Sequence, residues 1–66
     1  MSDYSQGEEY YDVALSYESA DDYNKGGEYF TLAIQAGLDP EYELDAYHWR
    51  SICYGQAGRG EEALAD

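Results

Sequence analysis

The sequence predicts an all-α protein built from antiparallel helical hairpins, with three helices followed by a short helical stub at the C-terminus. Three observations lead to this fold class. Apolar residues recur at helical spacing, the pair Asp39–Pro40 is a strong helix-start signal, and no alternation of apolar and polar residues persists as it would in a strand. Sixty-six residues allow one domain at most.

The first helix is expected from Glu8 to Ala20, after a flexible N-terminal tail of residues 1–7. Four of its residues fall at positions i, i+3, i+4 and i+7, which is the spacing of one helical face. They are Tyr10, Val13, Ala14 and Tyr17.

The second helix is expected from Asp22, a suitable N-cap, to about Ala36, with Gly37 ending it in the left-handed cap conformation. Two glycines, Gly26 and Gly27, stand near its start, where each costs about 1 kcal/mol relative to alanine. We interpret the first of them as a place where another helix passes too close for a side chain. We interpret the second, Gly27, only as the mark of a weak helix start.

The third helix is expected from Pro40 to about Gln56 or Ala57. Asp39 can cap its start, proline suits the first helical position, and two acids in the first turn favour the positive end of the helix dipole. The final residues, 60–66, then predict the start of a fourth helix that stops after about one turn.

The composition is strongly acidic. Fifteen Asp and Glu residues against three Lys and Arg residues give a net charge of −12. Such a surface attracts basic partners and repels nucleic acid and anionic membranes; the simpler interpretation is a solubilising surface. Nine tyrosines, one tryptophan and one phenylalanine supply burial that a disordered acidic chain lacks.

The N-terminus has no basic leader followed by an apolar core, and no apolar run approaches the roughly 20 residues that span a bilayer. A soluble, cytoplasmic protein is therefore expected. The single cysteine, Cys53, rules out an intrachain disulfide. A chain this short then needs good helix packing, oligomerisation or a place in something larger.

The first two helices form one unit, and the third helix with the stub looks like its second copy. The aromatic and small residues of the Tyr10 stripe, the small residue Gly26, Phe30 four positions later and the closing turn Leu38–Pro40 resemble the tetratricopeptide repeat. The resemblance implies a first repeat at about residues 8–40.

The partial second repeat covers about residues 41–66. The aromatic, small and tyrosine positions of the repeat are here held by Tyr47, Ser51 and Tyr54. Tyr10 and Tyr47 are 37 positions apart, against about 34 in the family, and an arginine stands in the aliphatic position of the second copy.

In tetratricopeptide proteins the small residue of the second helix packs against that of the first, which here implies that Gly26 lies against Ala14. These proteins bind peptides or partner proteins on a concave face lined by the first helix of each hairpin. Carried over by position, the candidate face is made of Glu8, Tyr11, Leu15 and Glu18 from the first helix and Asp45, His48, Ile52 and Gln56 from the third.

The alternative is that these edges pack against a neighbouring helix, because helices of small bundles often bury two faces. The best-known groove of the family grips a terminal carboxylate with lysine, asparagine and arginine, whereas Tyr11 and Leu15 stand in the corresponding positions here, with no basic residue. An acidic ligand is therefore not expected. A basic or basic-amphipathic peptide or protein is the expected partner.

A symmetric homodimer through the third helix and the C-terminal stub is also expected. The truncated second repeat leaves three residues that the stub cannot cover, namely Tyr47, Ser51 and Tyr54. Exposed patches of that size are usually interfaces.

No catalytic, metal or cofactor site is expected. His48 and Cys53 are five residues apart, about 140° around one helix, so they do not face each other as base and nucleophile. A run of alternating acids from Asp39 starts like a calcium loop, but its sixth position is Leu44 rather than glycine and its twelfth is Arg50 rather than glutamate.

Two alternative functions are consistent with the sequence. The acidity fits a mimic of nucleic acid, or an inhibitor, that blocks the binding surface of a basic protein, which requires carboxylates spaced like phosphates on one face. The chain also fits a fragment or designed module of a longer repeat array, without an independent function.

Overall fold

Three α-helices make up the computed structural model, which describes residues 3–58. They are α1 (Ser5–Ser19), α2 (Tyr23–Ala36) and α3 (Pro40–Gln56). Residues 3–58 contain no strand, so the predicted all-α class is confirmed. The expected stub at residues 60–66 lies outside the described residues.

The helices form two antiparallel hairpins that share α2. Gly7, early in α1, lies against the C-terminal end of α2, whereas Gly26, early in α2, lies against the end of α1 at Glu18. α3 also runs antiparallel to α2, because Gly27 lies under Tyr54 at the end of α3. α1 and α3 therefore run in the same direction, and both pack against α2.

The structure corrects the expected N-terminal tail. α1 begins at Ser5 rather than Glu8, and the Asp3 carboxylate accepts a hydrogen bond of 2.9 Å from the Ser5 backbone N–H. Gly7 is buried, and a Cβ placed on it would overlap the carbonyl oxygen of Gly37. Gly7 is thus part of the packed structure, and residues 5–7 belong to α1.

The turn between α1 and α2 satisfies the last carbonyls of α1. The backbone N–H of Asp22 donates to the Tyr17 carbonyl at 2.9 Å, and that of Asp21 donates to the Glu18 carbonyl at 3.0 Å. This is the Schellman pattern of helix ends, with Asp21 in the left-handed position at φ 63°. The Tyr23 hydroxyl donates to the Asp21 carboxylate at 2.8 Å.

The predicted helix-end signals are confirmed at both ends of the second loop. Gly37 ends α2 with φ 106°, a value that glycine adopts without strain. Asp39 caps α3 by accepting a hydrogen bond of 3.1 Å from the backbone N–H of Glu41, with Pro40 in the first turn. Asp22 caps α2 through a longer bond of 3.4 Å from the Lys25 backbone N–H.

Phe30 of α2 lies at the centre of the core and is fully buried. The ring of Tyr11 from α1 meets it edge-on, with centroids 5.6 Å apart, and Trp49 from α3 stacks nearly parallel to it at 6.4 Å. One aromatic ring from each helix therefore meets at this point. The remaining core residues are smaller: Ala14, Ala33, Leu38, Ala46 and Cys53.

The two glycines of α2 have separate steric reasons. A Cβ on Gly26 would lie 3.6 Å from the carbonyl oxygen of Ala14 and 3.1 Å from the sulfur of Cys53. Gly26 therefore lies against Ala14 as expected, but at ordinary van der Waals distance, so the interpretation that α1 leaves no room for a side chain is wrong; the tight neighbour is the Cys53 sulfur of α3. A Cβ on Gly27 would overlap the ring of Tyr54, so this glycine makes room for a side chain of α3, which the sequence did not reveal.

Substituting a buried helical glycine and a solvent-exposed one should have opposite effects on the stability of the protein. Gly27→Ala should destabilise the protein by about 1 kcal/mol or more, because overpacking against Tyr54 outweighs the gain in helix propensity. Gly55→Ala, where nothing lies within 4 Å of the added methyl group, should stabilise it by about 0.5–1 kcal/mol. Urea unfolding measures both. Equal effects of the two changes would contradict the assigned role of Gly27.

Burial raises the pKa of the Cys53 thiol from 9.0 to about 11, and the Glu18 carboxylate adds to the shift. Folding thus favours the neutral thiol, a contribution that is complete below pH 9.0 and is lost as the pH rises through about 11. We expect the stability of the protein to fall over this range, and to fall less steeply in Cys53→Ala. Urea unfolding at a series of pH values measures the slopes; identical slopes would contradict this role of the thiol.

Candidate functional site

The candidate binding residues stand on α1 and α3. The two helices meet through Tyr11, whose ring lies 5.5 Å from that of Tyr42 and whose hydroxyl hydrogen-bonds with the Trp49 side chain. We call the accessible residues among them the α1–α3 surface. They are Glu8, Leu15, Glu18, Asp45, His48, Ile52 and Gln56.

Tyr11 itself is not part of that surface. It is 8 % exposed and packs between Phe30 and Tyr42, so it belongs to the core where all three helices meet. Burial raises the pKa of its hydroxyl, and the carboxylate of Asp45 raises it further. For this residue, the alternative of packing against neighbouring helices is the one observed.

The α1–α3 surface combines partly buried apolar side chains with exposed polar ones. Leu15 and Ile52 are half-buried, and Leu15 packs against the core cluster. Glu8, Asp45 and the other polar members are exposed, apart from Glu18, which is half-buried. The set thus combines two half-buried apolar side chains with exposed or half-buried carboxylates.

Two carboxylates contribute to raised pKa values of nearby tyrosine and cysteine side chains. Beside the larger effect of burial, Asp45 raises the pKa of Tyr11 and Glu18 raises that of Cys53. The hydrogen bond to Asp21 is the main cause of the raised pKa of Tyr23, to which Glu18 adds a smaller effect. Negative charge therefore lies near Tyr11 and near Cys53. The surface carries no Lys or Arg residue, and its one imidazole, His48, is exposed.

The arrangement offers no nucleophile–base pair at the residues considered from the sequence. His48 is exposed whereas Cys53 is fully buried, and the raised pKa of Cys53 keeps its sulfur in the weakly nucleophilic thiol form. Within residues 3–58, no group of three or more His, Cys, Asp or Glu side chains is arranged to hold a metal ion.

The three self-association candidates have different environments. Tyr47 is 39 % exposed, with the Arg50 guanidinium 5.0 Å from its ring centroid, and Ser51 is half-buried. Tyr54 is only 9 % exposed, because its ring covers Gly27. Tyr54 therefore belongs to the contact between α2 and α3.

The most exposed large apolar side chain on α3 is one that the sequence analysis did not select. Leu44 is 73 % exposed and precedes Tyr47 by three residues, so both lie on the outer part of the helix. The spacing was visible in the sequence. The exposure of the Leu44 side chain could not be predicted, because the same residue could equally have pointed towards the core.

A second feature missed at the sequence level is a row of rings on the other side of α1. Tyr10 and Tyr17, expected in the core stripe, are half-buried and flank Tyr29 of α2, with centroids 6.0 and 5.3 Å away from it. The Lys25 ammonium lies 5.5 Å from the Tyr17 ring centroid. Only pairing α1 with α2 brings these residues together.

Comparisons with protein-family models, with curated proteins and with solved structures gave no match. Among the described helices, none is long and apolar enough to cross a membrane.

Proposed function

We propose that the chain is a small acidic interaction module of the tetratricopeptide type that binds a basic or basic-amphipathic peptide or protein on the α1–α3 surface. The observation that carries this proposal is the apolar pair Leu15 and Ile52, half-buried on parallel helices and accompanied by carboxylates. The repeat-like positions quoted from the sequence support the same class.

Charge supports a basic rather than an acidic partner. The surface includes Glu8, Glu18 and Asp45, and the whole chain carries −12. These charges raise the rate of encounter with a cationic peptide and weaken as salt screens them. An anionic peptide would meet like charge along the whole surface.

The apolar residues supply the second half of the interaction. Half-buried side chains such as Leu15 and Ile52 are already held by their neighbours, so a ligand that covers them loses little of their conformational freedom. A basic-amphipathic helix fits this chemistry, since its apolar face can cover the leucine and isoleucine while its cations meet the flanking carboxylates.

Binding should depend on the apolar pair more than on any single carboxylate. We expect Leu15→Ala and Ile52→Ala each to weaken binding of a labelled amphipathic lysine–leucine peptide by at least about fivefold, because loss of an interface anchor typically costs more than about 1 kcal/mol. Leu44→Ala, on the outer part of α3, serves as the matched control. Fluorescence anisotropy at low and high salt measures the affinities.

The same assay separates this function from nucleic-acid mimicry. If the peptide binds on the α1–α3 surface, neutralising Glu41, Glu43 and Asp45 should weaken its binding only modestly. If the chain is a mimic whose carboxylates replace phosphates, the same change should abolish binding. Loss of all binding in that triple variant, with Leu15→Ala and Ile52→Ala unchanged, would contradict the proposal.

Self-association is a second proposed property, favoured by the exposure of Leu44 and Tyr47 on α3. We expect Leu44→Glu to reduce dimer formation at least about fivefold, because a charge replaces an apolar contact, whereas Leu32→Glu on α2 leaves it unchanged. Added salt should tighten the dimer by screening the −12 charge of each chain. Light scattering that reports a monomer at every usable concentration would contradict this property.

A further inference from the structure

Three tyrosine rings form a continuous row across the junction of α1 and α2. Tyr29 stands in the middle; its ring is stacked on that of Tyr17 at 5.3 Å and tilted against that of Tyr10 at 6.0 Å. All three side chains are half-buried, so each ring keeps part of its surface in contact with solvent. We call Tyr10, Tyr17 and Tyr29 the tyrosine row.

The tyrosine row lies on the side of the molecule away from the α1–α3 surface. Tyr17 follows Leu15 by two residues, which is about 200° around the axis of α1, so the two side chains lie on opposite sides of the helix. Tyr29 likewise precedes Thr31, which contacts Tyr54 of α3, by two residues. A ligand on one surface therefore leaves the other surface accessible.

The row already receives a cation from within the chain. The ammonium of Lys25 lies 5.5 Å from the centroid of the Tyr17 ring, within the range in which the negative face of an aromatic ring attracts a cation. Lys25 is exposed, so a ligand cation can compete for the position it occupies.

Apolar and acidic residues extend the row on both helices. Val13, one turn from Tyr10 and Tyr17, and Leu32, one turn from Tyr29, are each 38 % exposed. Exposed carboxylates precede them by one turn, at Glu9 before Val13 and Glu28 before Leu32. The row is thus an aromatic and apolar strip edged by negative charge.

We propose that the tyrosine row is a second docking surface, one that takes an arginine- or lysine-bearing segment of a partner protein through cation–π contacts. A guanidinium or ammonium gains from the ring faces and from the flanking carboxylates at once. A second copy of this chain is disfavoured as the occupant of this strip, because the carboxylates of Glu9 and Glu28 that edge it attract cations and would repel another acidic surface.

The test uses a synthetic peptide of alternating arginine and glycine, observed by NMR on the full chain. In the free protein, the ring current of Tyr17 should shift the ε-methylene protons of Lys25 upfield. Binding should return them towards ordinary values as the peptide displaces the ammonium, and should perturb the ring protons of Tyr10 and Tyr29. Perturbations confined to the α1–α3 surface would overturn the proposal.

Affinity measurements with ring variants give the second readout. Tyr29→Leu keeps an apolar side chain but removes the ring, and it should weaken peptide binding about fivefold. Tyr47→Leu is the control, since Tyr47 has Arg50 over its ring but no ring contact within residues 3–58. Equal affinities of the two variants would show that charge alone holds the peptide and would overturn the proposal.

A third measurement needs no variant of the protein, and so does not depend on whether Tyr29→Leu folds. Replacing arginine by citrulline in the peptide keeps its shape and removes its charge, and should weaken binding at least about tenfold. Unchanged binding would overturn the proposal. Leu15→Ala should leave the arginine–glycine peptide unaffected, which keeps this result separate from that for the α1–α3 surface.

Discussion

The close approach of α3 to the N-terminal half of α2 is the constraint on which the rest of the structure depends. At Gly26 the backbone of α2 is near both the Ala14 carbonyl and the Cys53 sulfur, and at Gly27 it lies beneath the Tyr54 ring. Both positions thus make room chiefly for side chains of α3. Their cost in helix propensity is about 1 kcal/mol each, which the closer packing of α3 on α2 has to offset.

That approach determines which aromatic rings meet. Once α2 is held between its neighbours, Tyr11, Phe30 and Trp49 converge from three helices, and pairs of this kind each add about 0.5–1.5 kcal/mol beyond the area they bury. The same geometry places side chains of α1 in two different contacts. Tyr11 meets Tyr42 of α3, whereas Tyr10 meets Tyr29 of α2. The proposed α1–α3 surface and the tyrosine row are both consequences of this arrangement.

The sequence predicted what depends on neighbours along the chain. The Asp39 cap and the end of α2 at Gly37 rest on local backbone chemistry, and both are confirmed. The start of α1 was wrong because burial of Gly7 depends on Gly37, thirty residues later. For the site, residue positions around each helix were predictable, but the burial of Tyr11 and Tyr54 and the pairing that forms the tyrosine row arise only from contacts between helices.

Trp49 is the single tryptophan of the chain, and its position has a spectroscopic consequence. The indole stacks on Phe30 of α2 and hydrogen-bonds with Tyr11 of α1 while belonging to α3. Its fluorescence therefore reports on the docking of all three helices at once, and separation of either hairpin changes the polarity around the same chromophore. Nine tyrosines in so small a chain act as energy donors to it, so excitation of tyrosine followed by tryptophan emission measures compactness without any attached label.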